Sequence, residues 1–129
     1  MFKYIKTIHS HTVAETCKHD VYTNENISKG TLCQLTNGYL VHTADASKPF
    51  YLILEDKKDD DGKSTLDCIR LCPGMMLVGT AGFDPSSAGV GTLCGVTSDV
   101  YEHYTQLSSD GTYFEIVEMD GDNLTVITM

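Results

Sequence analysis

Short apolar runs separated by glycine-bearing turns organise this chain. Stretches rich in β-branched, aromatic and leucine residues are divided by Asn37-Gly38, Asp61-Gly62, Asp110-Gly111 and Asp120-Gly121. Asn, Asp and Gly tolerate the positive φ of tight hairpins, so each dipeptide predicts a reversal between strands. Strands are expected at residues 31–35 and 39–43 about the first turn. Two more, at 50–55 and 65–72, flank the acidic loop Asp59-Asp60-Asp61-Gly62. In the latter, alternation sends Leu66, Cys68, Arg70 and Cys72 to one face and Asp67, Ile69 and Leu71 to the other. Pro73-Gly74 ends it, and strands follow at 75–80, 93–97, 113–119 and 124–129, with a loop at 82–91. Residues 99–107 fit a short helix, with Asp99 and Glu102 at capping-box spacing, as well as a strand; strand or loop is preferred. The spacing leaves no room for βαβ crossovers. The expected fold is all-β: a small antiparallel β-barrel or β-tulip-like domain with an extended N-terminal arm.

Residues 1–26 differ from the rest. They are polar after Ile8 and hold His9, His11 and His19. Residues 2–8 are expected to be extended, and Thr12-Val13-Ala14-Glu15 has the spacing of a capping box for one helical turn. The division is therefore an arm or lead-in strand at 1–26 and a barrel-like domain at 27–129. A segment too polar for its own core, yet carrying Phe2, Tyr4, Ile5 and Ile8, suits ordering by strand addition to a partner's sheet. Phe2, Tyr4 and Ile5 are then the partner-binding anchors; the competing reading is a first strand of the domain's own sheet.

Gly30-Thr31-Leu32-Cys33-Gln34-Leu35-Thr36 is echoed by Gly91-Thr92-Leu93-Cys94-Gly95-Val96-Thr97. Either these are related strands in equivalent positions of a pseudo-symmetric barrel, or they share common strand-entry chemistry. The separation is too long and too singular for a solenoid.

At 129 residues the chain is sized for one domain, and 41% hydrophobic residues suffice for a core. A formal charge of -9 with scattered Lys and Arg disfavours nucleic acid as a partner. An acidic surface favours solubility at high local concentration. No segment has the length of a membrane-spanning helix, and the N-terminus lacks the apolar core and cleavage pattern of a signal peptide. The five cysteines (Cys17, Cys33, Cys68, Cys72 and Cys94) are odd in number and scattered, as expected of reduced thiols made in a cytosol.

Candidate chemistry is sparse. His9, His11, Cys17 and His19 are zinc-ligand types, but their spacing matches no established zinc pattern and a second Cys pair is missing. A polar segment that holds histidines is the preferred reading. Cys68 and Cys72 would lie about 13 Å apart on one strand face, too far for a disulfide. If the echo marks equivalent strands of one barrel, Cys33 and Cys94 could be neighbours across it, with nothing to suggest that they are oxidised. Placing Gly62 as a calcium-loop glycine puts Lys57 at the first ligand and Cys68 where Glu is needed, so that match fails. His42 and His103 are isolated on strand-like segments, and residues 82–91 lack the ending of a phosphate loop. No catalytic residue, cofactor or metal is assigned.

The stretch 26–41, with Ala44-Asp45-Ala46 after it and the late Gly-φ-φ echo at 88–98, resembles small capsid decoration (head-stabilising) proteins of tailed bacteriophages. In those a Gly-Thr strand pair precedes a short Ala/Asp turn. The resemblance implies a non-enzymatic protein that binds the outside of an assembled shell, often as a homotrimer, with the major capsid protein as partner. It would be made in the bacterial host cytoplasm and end on the virion exterior, without contacting nucleic acid or membrane. The family brings no catalytic residues; the histidine- and cysteine-bearing N-terminus departs from it. The alternative from another class is a small β-barrel that binds a ligand or serves as an accessory domain of a cytosolic enzyme.

Overall fold

Positive-φ residues fix where the chain reverses. Asn37 (φ 51°) and Gly38 (φ 85°) together form the mirror-image turn that suits the twist of a two-residue hairpin. The computed structural model describes residues 1–8, 14–99 and 104–129. It holds eleven strands: β1 (Lys3–Thr7), β2 (Thr16–Asp20), β3 (Leu32–Thr36), β4 (Tyr39–Val41), β5 (Tyr51–Ile53), β6 (Thr65–Arg70), β7 (Met75–Thr80), β8 (Leu93–Asp99), β9 (Tyr104–Ser108), β10 (Phe114–Asp120) and β11 (Asn123–Thr128). The only helical element among the described residues is a 3₁₀ turn at Pro85–Ser87, capped by Asp84, whose carboxylate accepts from the Ser86 N–H. The fold is all-β. Thr12 and Val13 of the proposed capping-box turn and residues 100–103 of the ambiguous stretch 99–107 lie outside the described residues; the rest of that stretch is strand, with Asp99 ending β8 and residues 104–107 in β9.

The strands form two sheets rather than one barrel. The first closes as β2-β4-β3-β5-β6; the second runs β1-β7-β11-β10-β8-β9. Without β1, the two have the same topology. β2 to β6 and β7 to β11 are each a run of five strands in which the second lies between the third and fourth, and the fifth lies between the fourth and the first. Closure is equivalent as well. The end of β2 pairs in parallel with β4 at Asp20 and Tyr39, and the residue after β7, Ala81, makes a parallel bridge to Leu107 of β9.

Matched backbone bonds confirm the equivalence. Gly30 N–H donates to the Ile53 carbonyl at 2.8 Å, and Gly91 N–H to the Ile116 carbonyl at 2.8 Å. The return bonds run from Ile53 to Thr31 (3.0 Å) and from Ile116 to Thr92 (2.9 Å). Val21 donates to Ser64 at 3.0 Å as Ala81 does to Asp122 at 2.8 Å. Gly30 and Gly91 share a positive φ, 87° and 92°. The echo in the sequence is therefore structural, but its two copies open two modules. Cys33 and Cys94 are consequently not neighbours across one barrel: each is buried in a different apolar cluster.

One cluster fills the first barrel with Val21, Ile27, Cys33, Leu40, Tyr51, Ile53, Leu66 and Cys68. The other joins the interior of the second module to the outer face of the first, through Leu32, Phe50, Leu52, Ile69 and Leu71. β5 is buried on both faces, which is why Tyr51-Leu52-Ile53 is an unbroken apolar run. A buried polar link crosses between the modules. The Thr31 and Thr105 hydroxyls lie 3.1 Å apart, Thr105 N–H donates to Thr31 Oγ1 at 2.9 Å, and Leu32 N–H donates to Thr105 Oγ1 at 2.7 Å. Asp110-Gly111 departs from the sequence expectation. β9 and β10 are not neighbours, so this turn is a crossover that passes tightly over β8 at Gly95. A Cβ on Gly111 would sit 3.0 Å from the Gly95 Cα.

Residues 1–26 contribute a strand to each sheet. β1 pairs antiparallel with β7, and β2 with β6. β2 had no strand expectation because Thr16-Cys17-Lys18-His19-Asp20 carries no aliphatic residue. Its signal is the alternation of half-buried Cys17 and His19 with exposed Thr16, Lys18 and Asp20.

Three variants test this packing. Phe2→Ala is expected to cost about 3–5 kcal/mol in denaturant unfolding, because a buried aromatic ring leaves a cavity; deletion of residues 1–20, which removes β1 and β2, is expected to abolish the cooperative melt. Gly95→Ala is expected to cost about 1–3 kcal/mol from overpacking against the crossover; an unchanged melting temperature would contradict the close approach.

Candidate functional site

The three anchors expected from the sequence sit in different environments. Phe2 is 4% exposed and stacks on Phe114, with ring centroids 6.3 Å apart. Gly79 makes room for it: a Cβ there would lie 2.7 Å from the Phe2 ring. Tyr4 is half-buried, its hydroxyl 2.7 Å from Thr7 Oγ1. Ile5 is 45% exposed and sits at a bulge in the β1–β7 register. Phe2 is thus part of the protein's own core, and Ile5 is the apolar side chain of the three that β1 presents to solvent.

A second constellation forms inside the first barrel. Strand alternation turns Lys18 outward, where its ammonium lies 2.7 Å from Asp67, and turns Cys17 and His19 inward. Cys17 lies directly opposite Cys68 across the β2–β6 ladder, with the two sulfurs 3.6 Å apart. The His19 ring packs edge-on against Tyr51 at 4.9 Å. One ligand atom from each of Cys17, His19 and Cys68 lies within 4.8 Å of the others. Among the described residues this is the one cluster of three metal-ligand side chains. Burial is the main force pushing the Cys68 thiol above its ordinary range, followed by its contact with Cys17. A cleft of about 660 Å³ opens beside the cluster, lined by Cys17, His19, Tyr51, Arg70 and Cys72 among others.

Of the histidine and cysteine set considered from the sequence, Cys17 and His19 come together, while His9 and His11 lie outside the described residues, as does His103. Cys68 was absent from that set because its partner is distant in the chain. The readable signal was two alternating strands, each aiming its Cys or His residues to one side.

The acidic loop has a structural task that the sequence concealed. Lys57 is 2% exposed, and its ammonium donates to the carbonyls of Thr23 (2.9 Å) and Lys58 (2.6 Å) and pairs with Asp61 at 3.0 Å. Asp61 also accepts from the backbone N–H groups of Lys58 (2.8 Å) and Lys63 (2.9 Å). These backbone bonds first, and then Lys57, hold the Asp61 carboxyl down to about 2. Its carboxylate therefore stabilises the fold fully above its ordinary pKa of 3.8, and that contribution disappears as the pH falls through about 2. Asp61→Asn should melt lower than the unsubstituted protein at neutral pH, with the gap closing between pH 3.8 and about 2; a gap independent of pH would contradict the assignment.

Comparison with protein-family models, curated proteins and solved structures finds no significant match to this chain.

Proposed function

We propose that this protein is a structural virion component that binds the outer surface of an assembled phage capsid, contacts the major capsid protein and stabilises the shell. The observation that supports it most is the equivalence of the two stretches that carry the resemblance. Residues 26–46 and 88–98 contain the strand entries of the two modules, locked by the same bonds from Gly30 to Ile53 and from Gly91 to Ile116. A chain built twice from one strand-entry pattern presents two similar loop sets from a rigid all-β body, which suits a repetitive surface. The charge of -9 keeps such a protein soluble while many copies accumulate in the host cytoplasm before attachment. In this reading the protein is not an enzyme, and it assembles as a homotrimer on the capsid exterior.

Contact through side chains suits the exposed apolar groups better than backbone strand addition at β1. Lys3 and Lys6 are exposed, and the bulge at Ile5 interrupts the edge; both features disfavour pairing by a further strand. Ile5 on β1, with Val90 (71% exposed) and Leu93 (39%) at the entry to the second module, supplies apolar contact area.

Co-sedimentation with particles tests the reading. The intact protein is expected to pellet with capsids that lack it and to raise their heat resistance. Ile5→Asp or Val90→Asp, both solvent-facing, should reduce pelleting at least tenfold while leaving the melting temperature of the free protein within a few degrees. An intact protein that stays in the supernatant would overturn the decoration reading.

A further inference from the structure

The two-module architecture supplies an internal control for the Cys17–His19–Cys68 cluster. The β2–β6 and β7–β11 ladders correspond pair by pair: Cys17 with Cys68 matches Leu77 with Val126, and His19 with Leu66 matches Gly79 with Leu124. In the second module these positions are apolar packing: Leu77, Val126 and Leu124 are fully buried, and the ring of Phe2 lies over Gly79. The first module retains the leucine, Leu66, yet holds two thiols and an imidazole where its counterpart holds Leu77, Val126 and a glycine. Packing alone is met by apolar side chains at these positions, so the substitution of three ligand-type residues, all directed to one point, calls for a different account.

The geometry is that of a prepared site. Metal–sulfur bonds of about 2.3 Å in a tetrahedral ion place two thiolates about 3.8 Å apart; the Cys17 and Cys68 sulfurs already lie 3.6 Å apart. The ladder fixes them, since β2 and β6 pair at every position from Thr16–Ile69 to Asp20–Thr65. His19, two residues along the same strand, faces the same side, and its ring position is set by Tyr51. Cys68 is buried, whereas Cys17 and His19 are half-buried and line the cleft, which gives an entry path and an open fourth position. Cys33, in the apolar core of the same barrel, is enclosed and serves as a packing thiol by contrast.

We propose that Cys17, His19 and Cys68 bind one thiophilic d¹⁰ ion of the zinc class, with a fourth ligand supplied from the cleft. Two thiolates and one imidazole are the donor set that such an ion favours over hard cations. On binding, the two S–H bonds break, their protons pass to solvent, two metal–sulfur bonds and one metal–nitrogen bond form, and no electron is transferred. The ion then ties β2 to β6, where the second module relies on Leu77, Val126 and the Phe2 ring. This reading is independent of capsid binding.

The test uses the full chain, purified reduced and metal-free, and titrated with Zn²⁺ and with Co²⁺ as a spectroscopic probe. Expected are one ion per chain, a higher melting temperature with Zn²⁺, and the thiolate-to-cobalt charge-transfer and tetrahedral bands with Co²⁺. Cys17→Ser and His19→Gln, both at half-buried positions that spare the buried thiol, should each weaken binding more than about tenfold, the least that losing even an outer-shell partner costs. Their unliganded circular dichroism should match that of the parent. Absence of the cobalt bands at stoichiometric metal, or bands unchanged in Cys17→Ser, would overturn the site. Recovery of freshly made protein with Cys17 and Cys68 joined as a disulfide would overturn it too, by assigning the pair to a covalent staple.

Discussion

Reciprocal backbone bonds between a Gly-Thr strand entry and an isoleucine hold each half of this protein in register. Glycine is required because the chain turns into the strand with φ near 90°, a region that other residues seldom adopt. The glycine N–H donates to the isoleucine carbonyl and the following threonine carbonyl accepts the return bond, from Ile53 in the first module and Ile116 in the second, which places β3 beside β5 and β8 beside β10. With that pairing set, the remaining neighbours follow. The intervening strand can occupy only the other edge, and the fifth strand returns along the fourth.

The modules diverge where their surroundings differ. The second takes β1 on the free edge of β7 and fills the space above Gly79 with Phe2. Among the described residues, the first receives no such strand along the corresponding part of β2, which meets β4 at Asp20 and Tyr39, and its matching position is His19. Burial on the second module's inner face therefore reaches completion with aromatic packing, while the first keeps polar, ligand-type side chains beside an open cleft. The Thr31–Thr105 hydroxyl pair joins the modules in a fully buried setting, where the loss of one partner would leave an unsatisfied polar group.

Local chemistry made much of this legible. The Asn37-Gly38 hairpin, the strand at 75–80 and the alternation that sends Leu66 and Cys68 to one face and Ile69 and Leu71 to the other follow from turn residues and the period of two along a strand, both short-range properties. What escaped was set by long-range contacts. Asp110-Gly111 has hairpin chemistry, yet its flanking strands are separated by β8, because Gly95 allows a crossover that no local pattern announces. β2 was hidden because its outer face is solvated and its inner face carries Cys and His. Lys57 looked like one charge in an acidic loop, and its burial depends on carbonyls from Thr23 and Lys58 together with Asp61. Of the expected partner anchors, the sequence could not tell that Phe2 packs on Phe114 while Ile5 faces water.

These features support one account, in which a duplicated β-module forms a rigid, acidic body whose exposed apolar side chains meet a repetitive surface. Direct imaging of the native particle by electron cryo-microscopy tests it most directly. The account predicts density on the outer face of the shell into which both five-stranded modules fit as one body, with Ile5 or Val90 at the boundary with the major capsid protein and copies grouped in threes. An outer surface without such density, or density in which the chain lies inside the shell, would contradict it.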